Sequence, residues 1–253
     1  MKYRLNIEYC GTKYSGWQKQ PDIQKVKTIQ GELEKAISQF CNKEKDIEVY
    51  ACGRTDAGVH AISMPAHIEL KNTDITPEKF ILAANALLKK EDISITSVEK
   101  VQDDFHARFN CKRRYYQYKI LNRPAPSALN KDKAWWIPQE LDIKAMQKAA
   151  KILIGKHDFS SFRAANCQAA SPVKTLEYIK VSKSKYEKDV ITIDLYAPSF
   201  IYHQVRNISG TLADVGKGKT SIKEFKKIFK ACDRTKAGIT APAEGLYFVK
   251  ADY

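Results

Sequence analysis

Nine consecutive residues, Gly53-Arg54-Thr55-Asp56-Ala57-Gly58-Val59-His60-Ala61, place one carboxylate beside a guanidinium and an imidazole. A carboxylate in such a setting can serve as a nucleophile or a base. Gly53 and Gly58 open backbone conformations closed to other residues, so the stretch can present Asp56 rigidly. The same residues also suit an Asx turn, in which Asp56 bonds only its own backbone. The flanking runs Ile47 to Cys52 and Val59 to Leu70 are rich in apolar and β-branched residues and predict strands. Asp56 then sits on the connection between them.

Two further stretches carry chemistry. Arg113 to Ile120 mixes cations and aromatics on a predicted strand, with Tyr116, Tyr118 and Ile120 on one face and Tyr115, Gln117 and Lys119 on the other. An aromatic ring in a basic groove stacks a nucleobase, worth about 1–3 kcal/mol per base; on strands such rings also serve as core. In Phe200 to Ile208, Arg206 lies off the apolar stripe of a predicted helix. It is either a solvated cation or a planar fork able to hold a carboxylate by two hydrogen bonds. The six cysteines include no pair two or three residues apart, and the five histidines form no helical metal pair, so no metal site is expected and the thiols read as reduced.

The elements that must position these residues follow from periodicity. Tyr3 to Glu8 alternates as a strand. Thr28 opens a helix with Ile29, Leu33, Ala36, Ile37 and Phe40 on one face, and Thr76-Pro77-Glu78 opens another with Phe80, Ala83, Ala84, Leu87 and Leu88. Ile93 to Val101 is a strand. The second half repeats the order: strand Cys111 to Leu121, a helix from Asp142 ending at Gly155, strands Val173 to Lys183 and Val190 to Tyr196, a helix bearing Ile201, Val205, Ile208, Leu212 and Val215, and a last strand Leu246 to Tyr253. An additional helix starts at Ser221, with Ile222, Phe225 and Phe229 inward. Asn122 to Ser127 and Gly155 to Pro172 read as irregular. The class is α+β, two duplicated split β-α-β units. Alternation breaks at Gln102 to Asp104, which predicts domains at 1–104 and 105–253.

Composition bounds the partner. Among 253 residues, 43 Lys and Arg stand against 29 Asp and Glu, a formal charge of +14. That excess calls for a polyanion, and nucleic acid is the commonest for a globular chain. No apolar run approaches the ~18 residues that span a bilayer, and the N terminus enters a strand pattern without a signal-peptide core, so no membrane and a cytoplasmic location are expected.

The Asp56 stretch resembles the active-site motif of the TruA family of tRNA pseudouridine synthases. The spacing of Arg114, Tyr116, Tyr118 and Ile120 is similar to the family's second motif, and Phe200 to Ile208 to its third. Further similar blocks are Tyr9 to Gln20, Asp158 to Ala164 with Cys167-Gln168 and Ser171-Pro172-Val173, and Ala241 to Tyr247, so the resemblance runs from end to end. It implies catalytic Asp56, an active-site Tyr116 that stacks on the target base, Tyr118 as packing, and Arg206 paired with the aspartate. It further implies Leu246 as an apolar floor, Arg54, His60 and Arg114 as substrate contacts, and Tyr9 to Gln20 as an RNA-facing loop.

The implied fold is two ferredoxin- or RRM-like lobes joined through a central mixed, largely antiparallel sheet, with a basic cleft. The implied activity is isomerisation of uridine to pseudouridine in the anticodon stem-loop of tRNA by a homodimer that needs no cofactor. Asp56 could attack ribose or the uracil ring, or assist elimination. The alternatives are a non-catalytic RNA-binding protein of the same fold, a synthase for other RNA sites, and an RNA hydrolase, which would normally show paired carboxylates. Lys217, Lys219, Lys223, Lys226, Lys227 and Lys230 suit phosphate contacts or a solvated face. Met64 and Pro65 depart from the family pattern, as does Lys174, and a proline in a strand predicts an edge or a bulge.

Overall fold

The computed structural model describes residues 1–20, 26–41, 47–71 and 75–253. It divides into two compact units, Met1–Lys112 with Phe248–Tyr253, and Arg113–Tyr247. In the first, alternation turns Tyr3, Leu5, Ile7 and Tyr9 inward along β1 (Lys2–Tyr9). Next come α1 (Ile29–Phe40), β2 (Tyr50–Ala51), β3 (His60–Glu69), α2 (Pro77–Leu88) and β4 (Ile93–Val101). β1 runs antiparallel between β4 and β3, and β2 pairs antiparallel with β3. The side chains of Thr28 and Thr76 cap α1 and α2, accepting from the N–H groups of Gly31 and Lys79. Phe80 of α2 packs its ring 5.9 Å from Tyr3 of β1 and edge-on to Phe40 of α1 at 5.0 Å, which joins both helices to the sheet. Truncating Phe80 to alanine would cost about 3–5 kcal/mol.

The second unit repeats this plan. Its elements are β5 (Arg113–Asn122), β6 (Trp135–Ile137), α3 (Ile143–Lys151), β7 (Gly155–Asp158), β8 (Val173–Leu176), β9 (Tyr178–Lys183), β10 (Val190–Ala197), α4 (Gln204–Gly216) and α5 (Ile222–Lys230). β11 (Leu246–Asp252) ends the chain, and its Phe248–Asp252 portion belongs to the first unit. β10 lies antiparallel between β5 and β9, as β3 lies between β1 and β2. Each half is thus a split β-α-β unit, and β6, parallel to β5, makes the pairing mixed. Asp142 caps α3, and Ser221 with Glu224 forms a reciprocal capping box on α5.

The structure departs from the periodicity in several places, among them Ile201, buried but ahead of α4 and not on its face, and Trp135–Ile137, a strand the pattern did not give. Val173 to Lys183 is two strands: β8 pairs with β7 in a separate ribbon, and at Glu177 the chain switches to β9 against β10. The stretch from Gly155 therefore opens in a strand, with Gly155 at φ +114 turning the chain out of α3. Of Ile47 to Cys52 only Tyr50 and Ala51 pair, because β2 meets β3 only at His67 and Ala66. Pro65 does not mark an edge, since β3 has neighbours on both sides, but it adjoins a register shift in the β1–β3 ladder between Met64 and Ala61. It lies just past the last β2–β3 pair, where its carbonyl accepts the Cys52 N–H at 2.8 Å and its missing N–H interrupts no β2–β3 pair.

Candidate active site

In the first unit, Asp56 stands half-buried on the loop from β2 to β3, between exposed Arg54 and buried Thr55 on one side and Gly58 at φ +79 on the other. The Asp56 carbonyl closes the turn by accepting the Val59 N–H at 3.2 Å. A second segment, Tyr9 to Trp17, grips this loop. Tyr9 Oη and Thr55 Oγ1 share a buried hydrogen bond of 2.8 Å, the Trp17 N–H donates to the Thr55 carbonyl at 3.0 Å, and the Gly58 N–H to the Tyr14 carbonyl at 3.4 Å. The approach is so close that side chains are excluded. A Cβ on Gly11 would lie 2.0 Å from the Val59 oxygen, and one on Gly16 2.7 Å from the Thr55 oxygen. His60 is 2 % exposed and its Nδ1 accepts the Gly11 N–H at 3.1 Å.

This segment, an RNA-facing loop by the resemblance, turns its aromatic residues inward, with Tyr9, Tyr14 and Trp17 buried and Thr12, Lys13, Gln18 and Lys19 outside. Tyr14 anchors it, donating to Glu91 Oε2 at 2.7 Å and accepting the Asp92 N–H at 3.1 Å. Burial and the hydrogen bond to Glu91 hold the Tyr14 hydroxyl far above its ordinary range, so it stays a donor. Lys27 joins Glu91 at 2.6 Å and, by that bond, lowers its carboxyl. The result is a carboxylate on a loop whose backbone is bonded on either side of it.

In the second unit, Tyr116 and Tyr118 share a face of β5. Tyr118 is fully buried, its hydroxyl donating to the Pro242 carbonyl at 2.8 Å, and Gly245 packs so closely on its ring that a Cβ there would lie 2.5 Å from Cζ. Tyr116 is less enclosed and meets Phe200 edge-on, with centroids 5.1 Å apart. Arg114 donates from Nη1 to the Pro198 carbonyl at 2.6 Å. Residues 198 to 206 therefore tie β5 to the start of α4, where Arg206 donates from Nε to the Ala241 carbonyl at 2.8 Å and meets His203 Nε2 through Nη1 at 3.2 Å. Leu246, 6 % exposed, follows the same 241–245 segment. In this unit Arg114, Tyr116, Arg206 and Leu246 are thus joined through residues 198–206 and 241–246.

Periodicity did not reveal what holds that segment. Asn207, wholly buried, donates to the Phe162 carbonyl at 2.9 Å and accepts from Thr240 at 2.7 Å and Arg234 at 3.1 Å. Arg234 also donates to the Gly238 carbonyl at 2.9 Å, and the Gly238 N–H to Thr211 at 3.0 Å. At Gly210 a Cβ would lie 1.9 Å from the Ile239 oxygen, so residues 238–241 lie directly on α4. The only sequence signal was polar residues on the apolar face of α4. Of the lysines, Lys217 sits over the Trp135 ring at 5.2 Å, whereas Lys219, Lys223, Lys226, Lys227 and Lys230 are exposed.

Matched against known families, the chain fits the model described as tRNA pseudouridine synthase over residues 6–110 and 149–253, segments that contain Asp56, Arg206 and Leu246. The chain belongs to the tRNA pseudouridine synthase family, isomerases that act on uridine in tRNA. It is 48% identical over 255 residues to tRNA pseudouridine synthase A of Xanthobacter autotrophicus, covering 100% of this chain and 99% of that protein. It is 44% identical over 255 residues to tRNA pseudouridine synthase A of Bartonella tribocorum, with the same two shares. Among the described residues, no helix is long and apolar enough to cross a membrane.

Proposed function

We propose that the chain isomerises uridine in the anticodon stem-loop of tRNA, with Asp56 as nucleophile, Arg206 as the guanidinium that orients it and Tyr116 as the ring that stacks on the target base. The reaction breaks the bond from ribose C1′ to N1 and forms one from C1′ to C5. C5 loses a proton and N1 gains one, so nothing is consumed. The observation that carries the reading is the clamp on the Asp56 loop, which holds the backbone to either side of one carboxylate by hydrogen bonds from a separate segment. Such fixing is what a nucleophile needs, since reacting groups must be held near their attack geometry.

Arg206 supports the reading through its donor chemistry. A guanidinium fork holds a carboxylate in one direction and keeps it ionised. Arg54 and Arg114 serve the RNA backbone, Leu246 the apolar surface beneath the base, and His60 the scaffold that grips the loop. A base within a stem must first leave its stack, costing a few kcal/mol, which stacking on Tyr116 offsets. The resemblance of the sequence motifs supports an enzyme that works as a homodimer, and its tRNA substrate supports a cytoplasmic location.

Asp56→Asn tests the assignment. It nearly preserves shape and removes the charge, so turnover on unmodified tRNA should vanish while affinity changes by less than about 3-fold. Mapping pseudouridine by position on the same transcripts tests the anticodon assignment. Product at sites outside the anticodon arm would favour a different target, and appreciable turnover by the asparagine variant would remove Asp56 from its role.

A further inference from the structure

We infer that His203 is a positioning residue whose neutral imidazole fixes the plane of the Arg206 guanidinium; the inference rests on the reading that Arg206 orients Asp56. Arginine offers only donors, so in the 3.2 Å contact from Arg206 Nη1 the lone pair comes from His203 Nε2. That assigns the imidazole proton to Nδ1. The bond from Nε to the Ala241 carbonyl at 2.8 Å holds one nitrogen of the fork. The contact from Nη1 to His203 holds another nitrogen against a different segment, and two such bonds together define the plane.

The placement of His203 has no explanation in the helix it precedes. It occupies the N-cap of α4 but makes no side-chain cap bond, a position where Ser, Thr, Asp and Asn are preferred. The neighbouring Gln204 side chain instead accepts the Ile201 N–H at 3.0 Å. His203 also holds φ at +61, a left-handed conformation uncommon for a residue with a side chain. The surroundings enforce it. Its ring lies 3.9 Å from that of Tyr202, centroid to centroid. The Ala164 N–H donates to the Tyr202 carbonyl at 3.2 Å, and the Tyr202 N–H to Cys167 Sγ at 3.4 Å. Arg163 in turn holds the 164–169 loop through the carbonyls of Cys167 at 3.0 Å and Ala169 at 2.7 Å. A strained backbone, held from outside, aims one ring nitrogen at one guanidinium nitrogen.

The test compares His203→Phe, which keeps a ring and loses the acceptor, with His203→Gln, which restores an acceptor oxygen. Measured by single turnover at saturating enzyme, the phenylalanine variant should lose about 10- to 100-fold in rate, as expected for a misplaced reacting group. Its tRNA affinity should stay within about 3-fold of wild type, and glutamine should recover most of the rate. In an Arg206→Lys background, His203→Phe should add little, because the group it positions is gone. A wild-type rate for His203→Phe, or equal losses in both His203 variants, overturns the inference. Nitrogen NMR of the histidine-labelled wild-type protein gives an answer even if a variant misfolds: Nε2 should be unprotonated at neutral pH, and a protonated Nε2 overturns the inference. If Arg206→Lys itself turns over at the wild-type rate, it is the orienting role of Arg206 that fails.

Discussion

Replacing Gly16 by alanine should slow the reaction without touching any group that meets substrate. Gly16 holds φ at +93, and its added Cβ would lie 2.7 Å from the Thr55 carbonyl oxygen and 3.2 Å from the Asp56 carbonyl carbon and the Ala57 nitrogen. Carbon and oxygen that are not bonded need roughly 3.2 Å or more, so the Thr55–Asp56 peptide must retreat by about 0.5 Å. That movement also stretches the 3.0 Å bond from the Trp17 N–H to the Thr55 carbonyl. A displacement of this size in the residue that carries the reacting carboxylate should cost about 10-fold or more in single-turnover rate. The backbone strain adds about 1–2 kcal/mol and the weakened hydrogen bond about 1 kcal/mol, so thermal unfolding should fall by several degrees.

Gly218→Ala is the matched control. Its φ is +72, yet an added Cβ there meets nothing within 4 Å. It should lower stability by a comparable strain of about 1–2 kcal/mol and leave the rate unchanged. The assay is pseudouridine formation at saturating enzyme, beside tRNA affinity and thermal unfolding, for both variants. A wild-type rate in Gly16→Ala, or the same rate loss in Gly218→Ala, would show that the clamp does not set the position of Asp56.

Tyr116→Phe should bind tRNA as wild type because it keeps the π face, whereas Tyr116→Ala should lose about 1–3 kcal/mol of binding; equal affinities for the two variants would remove the stacking role. A wild-type rate in the phenylalanine variant would limit Tyr116 to that platform. Stability should also fall with acid through His67. Burial first, then the charges of His106 and Lys2, push His67 down to about 4 from 6.5. Between those values the unfolded chain binds a proton that the folded chain refuses, so stability drops as pH is lowered from about 6.5 to 4, by about 3 kcal/mol at most. Urea unfolding at pH 7.5 and 5 should show a smaller drop in His67→Phe than in wild type, and equal drops would refute it.

Local pattern alone determined most of the order of elements and the starts of four helices. Thr28, Thr76, Asp142 and Ser221 each cap the helix that follows them, because a short oxygen-bearing side chain before an amphipathic run satisfies exposed N–H groups whatever lies elsewhere. Alternation placed β1 and β4 to within a residue at each end, and it put Tyr118 and Ile120 on one face, which the structure buries. The motif residues named the family for the same reason, since the types and spacing in Gly53 to Ala61 are themselves the signal.

What the tertiary structure decided is how segments distant in the chain approach each other. The clamp joins Tyr9 to Thr55 and Gly11 to Val59, and the hold on α4 joins Asn207 to Phe162, Arg234 and Thr240. Periodicity reports only which way a side chain faces along its own element, so it gave neither of these approaches. The split of Val173 to Lys183 into β8 and β9 has the same cause. Both halves have strand composition, but which partner each half finds depends on where β7 and β10 run, and no local pattern records that.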